Sequence, residues 1–212
     1  MTTPTLARAE RQALCDLLTE AGADAPTLCE GWTTFDLAAH LVVRERRPDS
    51  GPGLVIPALA RWTERVRTGA KHRGYDTLVE LVRKGPPVYS PFALPGADSA
   101  ANSVEYFVHH EDVRRARAGW EPRPLSADAD EELWRRTSRG SRMAFRKVGA
   151  GVVLRRPDGT THVAKAGSPA VTITGPPSEL VLFSSGRRAH ARVEIEGDPG
   201  AVEALAAAQL GV

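Results

Sequence analysis

The chain has 212 residues, of which 42% are hydrophobic and 25% are charged, so it is long enough to bury a hydrophobic core of ordinary size. This composition excludes an intrinsically disordered tail and a collagen-like repeat. Its 28 Lys and Arg against 26 Asp and Glu leave a formal net charge of +2, which lacks the strongly basic balance of a dedicated nucleic-acid binder.

No apolar run reaches the roughly 20 residues that a membrane span needs, and the first residues lack the apolar segment of a secretory signal. The cysteines Cys15 and Cys29 argue against a disulfide framework and for a reducing compartment. We therefore expect a cytoplasmic protein without a nucleic-acid or membrane partner, and we take it to be a monomer or homodimer.

Apolar residues at three- and four-residue steps predict helices over the first two thirds of the chain. The first begins near Leu6 and ends at Gly22, and the second begins at Thr33-Thr34-Phe35-Asp36, where hydroxyl and carboxylate groups can cap free N–H groups. A loop rich in proline and glycine runs from Gly85 to Gly96. Further helices are predicted over Val55–Arg67, Asp76–Arg83, Ser99–Ala118 and around Leu133–Phe145.

Beyond Gly149 the pattern changes from helical to strand-like spacing. Val152–Leu154 and Thr161–Val163 flank Pro157-Asp158-Gly159, which indicates a hairpin. The remaining sequence predicts strands over Ala170–Thr174 and Arg192–Ile195, and helices over Pro176–Phe183 and Asp198–Leu210. The sequence thus predicts an α+β protein, with a helical domain over residues 1–147 and a small α/β domain over residues 148–212.

Two residues on the predicted long helix can ligate a metal together. Glu105 and His109 are four positions apart, so they project from one face of the helix about one turn from each other. Zinc enzymes commonly use three nitrogen and oxygen ligands and leave a fourth position open. A third ligand would come from another helix, and His40 is the best candidate because it lies among apolar residues, where a polar group needs a partner.

Simpler interpretations of the histidines stand beside this one. A Glu and a His at this spacing occur on many solvated helix faces, and a histidine on an apolar stripe is often only hydrogen-bonded in the core. His110 lies about 100° around the helix from His109, so we expect it to be exposed or just outside the ligand set. We expect His72, His162 and His190 at the surface, although His190 follows Arg187 and Arg188 and could meet a substrate anion.

Two motifs in this chain resemble those of the mycothiol-dependent maleylpyruvate isomerase family. The segment Cys29-Glu30-Gly31-Trp32-Thr33-Thr34-Phe35-Asp36-Leu37-Ala38-Ala39-His40-Leu41 is similar to C-x-G-W-T-x-x-D-L-x-x-H-L, and the segment from Glu105 to Arg115 resembles E-x-x-x-H-x-x-D followed by arginines. The resemblance implies a DinB-like four-helix bundle followed by a small sterol-carrier-like domain. Within the family, the chain is similar to short actinobacterial members known simply as metal-binding proteins.

The resemblance also implies a site and an activity. A divalent metal, usually zinc, would be held by His40, Glu105 and His109. Asp112 would have a catalytic role, in which it orients a ligand or a bound water. Mycothiol would supply a thiol for S-transfer to, or isomerisation of, a small electrophilic substrate. An anionic substrate or cofactor would need cationic partners. We expect Arg114 and Arg115, on the long helix, to bind the cofactor, and we expect Arg187 and Arg188, in the second domain, to have a catalytic role.

Several alternatives remain open from the sequence. The chain could be a non-catalytic metal-binding protein, a carrier whose second domain holds a small apolar ligand, or a hydrolase that uses a metal and water. Cys29 precedes a helix and could act as nucleophile or ligand, but the signature places it with Trp32 as a structural start of that helix. Kinase, P-loop and hydrolase-elbow motifs are absent from the sequence.

Overall fold

A computed structural model describes residues 4–47, 49, 60–94 and 96–211. The chain divides into two compact units, Met1–Glu121 and Pro122–Val212. The first unit is helical, and the second combines helices with a four-stranded sheet. The predicted α+β class, with a helical part before a small α/β part, is confirmed. Among the described residues, no helix combines the length and the hydropathy needed to cross a bilayer.

The first unit contains helices α1 to α5, over Leu6–Ala21, Thr34–Arg46, Ala60–Ala70, Tyr75–Lys84 and Ala97–Arg114. Helix α1 ends at Gly22, as predicted, with a φ of 78° that favours glycine. Positions 55–59 of the predicted helix Val55–Arg67 lie outside the described residues, and the described part continues to Ala70.

Helix α5 ends at Arg114 rather than at the predicted Ala118. The guanidinium of Arg115 lies 4.6 Å from the centre of the Trp120 ring. The chain beyond the helix therefore packs back against its end instead of extending it.

Four helices of the first unit share one hydrophobic core. Residues of α1, α2, α4 and α5 line it, among them Leu14, Leu18, Leu37, Leu41, Leu78, Val82, Tyr106 and Val113. These side chains recur at three- and four-residue steps along each helix, which places them on one face. The predicted start of α2 is also confirmed, because Asp36 accepts hydrogen bonds from the backbone N–H of Thr33 at 3.2 Å and from its hydroxyl at 3.0 Å.

The second unit contains α6 over Ala127–Ala144, α7 over Pro177–Ser184 and α8 over Pro199–Ala207. Strands β1 to β4 span Gly151–Arg155, Thr161–Lys165, Ala170–Thr174 and Glu194–Gly197, and their order in the sheet is β2-β1-β3-β4. The predicted hairpin is confirmed as the antiparallel pair β1 and β2, whereas β1 and β3 are parallel. The last strand begins later than predicted, because the N–H of Arg192 donates to Glu179 instead of to a neighbouring strand.

Helix α6 belongs to the second unit. Its Trp134, and Phe145 just after it, share a core with Val152, Leu154 and Ile173 of the sheet. The boundary drawn from the sequence, between residues 147 and 148, instead leaves α6 with the preceding helices. An amphipathic pattern shows that a helix has a buried face, but it does not show which core that face meets.

Candidate metal centre

His40, Glu105 and His109 converge inside the first unit. Glu105 Oε1 lies 3.2 Å from His40 Nε2 and 3.3 Å from His109 Nε2. One potential ligand atom from each of the three residues lies within 4.8 Å of the other two. Helix α5 provides two of them one turn apart, and α2 provides the third, which is the arrangement that the spacing predicted.

The three side chains are largely enclosed but still reachable from solvent. The exposed fraction is 16% for His40, 25% for Glu105 and 10% for His109. The Trp32 ring lies against His40, with 5.2 Å between the ring centres, and the two imidazoles meet edge to face at 5.3 Å. A small ligand can therefore reach Glu105 while most bulk water is kept from the histidines.

Asp112 fixes the orientation of His109. Its Oδ2 lies 2.9 Å from His109 Nδ1, and its carboxylate is completely buried. If Nδ1–H donates to this carboxylate, Nε2 carries a lone pair and faces Glu105 Oε1. Two acceptors then meet at 3.3 Å, which is favourable only with a proton or a cation between them. Metal-binding histidines commonly donate their second nitrogen to a carboxylate in this way, so the donor set fits a divalent metal.

Electrostatics in the site favour a positive charge between the carboxylates. Burial alone would raise the pKa of Glu105, but hydrogen bonds with His109 and His40 hold that pKa well below its usual value. Burial likewise opposes a charged His109, yet its contacts with Asp112, Cys29 and Glu105 hold its pKa well above the usual value. For His40 burial dominates and lowers the pKa, which favours the neutral imidazole that a metal requires.

Cys29, which the signature places at the structural start of α2, also contacts the candidate site. Its Sγ is 3.3 Å from Asp112 Oδ2 and 4.0 Å from His109 Nδ1, so Cys29, His109 and Asp112 form a second group of potential ligands. The thiol donates to the carboxylate that orients His109. The sequence signal was its place in the same signature as His40, although the two residues are eleven positions apart.

Arg114 and Arg115, predicted to bind the cofactor, both contact Glu111. Arg114 donates to its two carboxylate oxygens at 3.0 Å, and Arg115 Nε donates at 2.6 Å. At 100° per residue, Glu111 and these arginines lie away from the helix face that carries Glu105 and His109. Arg115 is also almost completely buried, which favours a structural role for it. Contact between either arginine and a cofactor stays a prediction.

Arg187 and Arg188, predicted to be catalytic, make contacts within the second unit. Arg187 donates to the carbonyl oxygen of Ser185 at 2.7 Å, and Arg188 donates to those of Ala206 and Ala208 at 3.0 and 2.7 Å. The bonds of Arg188 brace the end of α8, whereas the bond of Arg187 stays within the turn after α7. Their catalytic role stays a prediction.

The remaining histidines correct one expectation. His110 is buried rather than exposed, because its Nδ1 lies 2.8 Å from Glu10 Oε2 and the pair is enclosed by α1 and α5. His72 is exposed, as expected, whereas His162 and His190 are half-buried. His162 Nε2 lies 3.1 Å from the hydroxyl oxygen of Ser141, within the second unit.

Comparison with protein families gives a match for part of the first unit. Residues 5–89 match the model of the mycothiol maleylpyruvate isomerase N-terminal domain. These residues are a domain of that family. The family resemblance predicted from the signature is confirmed, and the matched range includes His40 but ends before Glu105 and His109.

Solved structures show a similar fold over both units of the chain. A crystal structure of the mycothiol-dependent maleylpyruvate isomerase is 18% identical and aligns over 90% of each chain with a TM-score of 0.60. A histidine-to-alanine mutant of that enzyme is 19% identical and aligns over 90% of each chain with a TM-score of 0.54. A comparison with curated proteins gives no match.

Proposed function

We propose that this protein binds a divalent metal, zinc in the first instance, through His40, Glu105 and His109. The metal would activate a low-molecular-weight thiol such as mycothiol for addition to a small electrophilic substrate. The observation that carries the proposal is the convergence of two imidazole Nε2 atoms on Glu105 Oε1, at 3.2 and 3.3 Å, in a family named for mycothiol.

The protein's own groups have defined tasks in this scheme. When bound, a metal with three protein ligands and an open position lowers the pKa of a thiol as it does that of water. Asp112 holds His109 in the tautomer that leaves Nε2 free to ligate, and Cys29 donates to Asp112. Trp32 covers His40 and limits the access of water, which strengthens electrostatic interactions in the site.

Thiolate addition accounts for both outcomes that we propose. The sulfur forms a bond to one carbon of a conjugated double bond, and the π electrons move onto the conjugated carbonyl. If the former double bond rotates and the thiolate leaves again, the product is the isomer and the thiol is regenerated. If the other carbon takes up a proton instead, the adduct persists and the thiol has been transferred.

Metal content of the purified protein tests the metal site. After loading with zinc and removal of weakly bound ions, we expect one zinc per chain in the wild type. His40→Ala should lose it, whereas His72→Ala, which removes an exposed histidine of the same unit, should retain it. Far-UV circular dichroism checks that the variants remain folded. A wild type without zinc would overturn the proposal.

Thiol dependence tests the reaction. Maleylpyruvate and other conjugated carbonyl compounds would be incubated with the zinc-loaded protein, with and without mycothiol. Turnover that requires both the thiol and His40 supports the proposal. Turnover that proceeds equally without any thiol would instead indicate hydrolysis or another water-dependent reaction.

A further inference from the structure

We infer that Arg44 is a further positioning residue of the metal centre: it holds Glu105 in the orientation in which this carboxylate ligates. The inference rests on the proposed metal site, and it assigns a role to a residue outside the ligand set. Arg44 follows His40 by one turn on α2, so both side chains face α5 from the same side of the helix.

Arg44 contacts the same carboxylate oxygen as the two histidines. Its Nε lies 3.2 Å from Glu105 Oε1, a distance equal to that of His40 Nε2 from this atom. A guanidinium has no lone pair and cannot ligate a metal. The contact is an ion pair, and the attraction between the opposite charges keeps the Glu105 carboxylate on the side where the two imidazoles lie.

Arg44 is itself held in place from several sides. One terminal nitrogen donates to the side-chain oxygen of Asn102, and the other donates to the carbonyl oxygen of Ala101 at 3.1 Å. The flat guanidinium lies over the Phe92 ring at 4.8 Å. With both terminal nitrogens hydrogen-bonded and one face covered, the guanidinium is held beside Glu105.

The support continues into the core of the first unit. The buried amide of Asn102 donates to Asp98 at 2.7 Å and to the buried carboxylate of Glu45 at 3.3 Å. Glu45 also accepts from the hydroxyl of Tyr106 at 2.7 Å. An ion pair between Glu105 and Arg44, continued by hydrogen bonds through Asn102, therefore connects Glu105 to the almost fully enclosed carboxylate of Glu45.

Zinc affinity of the variants Arg44→Lys and Arg44→Met tests the inference, measured by competition with a chromophoric chelator. A lysine keeps the charge but cannot reach the carboxylate, the amide and the carbonyl oxygen together. We expect both variants to bind zinc about 10- to 100-fold more weakly, as is typical when a group that orients a ligand is removed. Arg47→Met is the matched control, because Arg47 lies three residues further along and is exposed.

A spectroscopic measurement separates positioning from general stability. Cobalt(II) bound to the wild type reports its coordination in the visible absorption spectrum. We expect Arg44→Met to alter that spectrum at saturating cobalt, which a general loss of stability would not do. Unchanged or tighter zinc binding in Arg44→Met, beside a wild type that binds zinc, overturns the inference alone. A wild type without zinc overturns it together with the proposed function.

Discussion

Asp112 Oδ2 lies 2.9 Å from His109 Nδ1, and the carboxylate has no exposed surface. A buried carboxylate is costly unless its oxygens are paired, and here one oxygen meets both His109 Nδ1 and the thiol of Cys29. The same bond determines which nitrogen of His109 faces Glu105. The orientation of a proposed ligand thus depends on a residue that never faces the proposed metal.

Replacing Asp112 by Asn should weaken metal binding while keeping the shape of the side chain. The amide lacks the negative charge that favours Nδ1–H, so His109 loses its fixed tautomer. We expect zinc affinity to fall about 10- to 100-fold, measured by chelator competition. Asp76→Asn, on an exposed carboxylate of α4, is the control. Equal affinity in both variants would contradict the role of Asp112.

The two cysteines should differ strongly in reactivity. Burial raises the pKa of the Cys15 thiol to about 12, so almost none of it is thiolate near neutral pH. Cys29 is half-buried beside the site. We expect iodoacetamide at pH 8 to label Cys29 first and Cys15 only when the protein unfolds, with peptide mass spectrometry as the measurement. Rapid labelling of Cys15 in the folded protein would show that the core opens readily.

Zinc should protect Cys29 in the same labelling experiment. Its thiol lies 4.0 Å from the ring nitrogen of a proposed ligand, so an ordered metal centre restricts its movement. We expect slower alkylation of Cys29 in the zinc-loaded protein than in the metal-free protein. His40→Ala is the control, because zinc should make no difference to its labelling rate.

Asp36 should make the stability of the first unit depend on pH. Burial opposes ionisation, but hydrogen bonds from Arg67 at 2.5 Å and Lys71 at 3.0 Å lower the pKa of Asp36 well below that of the unfolded chain. A carboxylate with a lowered folded-state pKa stabilises the protein above its unfolded pKa of about 4, and the benefit is lost as the pH falls below that value.

Urea unfolding of Asp36→Asn measures this contribution. The variant loses the capping interaction with Thr33 and two ion pairs, and we expect a deficit of about 1 kcal/mol at pH 7, as for other helix caps. The deficit should shrink between about pH 5 and pH 3, since the unfolded wild type then takes up a proton at Asp36. If the difference in the free energy of unfolding stays constant over this range, the charge of Asp36 does not contribute to stability.

Arg11 should be important for the stability of the first unit. It pairs with Glu45 at 2.7 Å and with Asp98 at 2.6 Å, and Glu45 is almost fully enclosed. Removing one partner of a buried ion pair leaves the other charge uncompensated, so Arg11→Met should cost about 3 kcal/mol in the free energy of unfolding. The exposed Arg8→Met, on the same helix, should cost little. Similar stabilities for the two variants would contradict this account.

Local patterns in the sequence predicted the features that depend on residues close together in the chain, such as helix faces and helix caps. The face shared by Glu105 and His109 follows from helix geometry, and the cap at Thr33 follows from residue types three positions apart. The contacts of Cys29 with Asp112 and of Arg44 with Glu105 join parts of the chain that only the packing of helices brings together. No local pattern indicates that α6 packs against the sheet or that His110 is buried beside Glu10. Both depend on the elements against which a helix face packs.

The Trp32 ring, 5.2 Å from that of His40, supplies the protein with an optical reporter. Indole fluorescence is quenched by a nearby ion with a partly filled d shell, and zinc has a filled one. Cobalt or copper at His40 would therefore dim Trp32, whereas zinc would leave its emission bright. Displacement of one ion by the other can then be followed by light, without any added label.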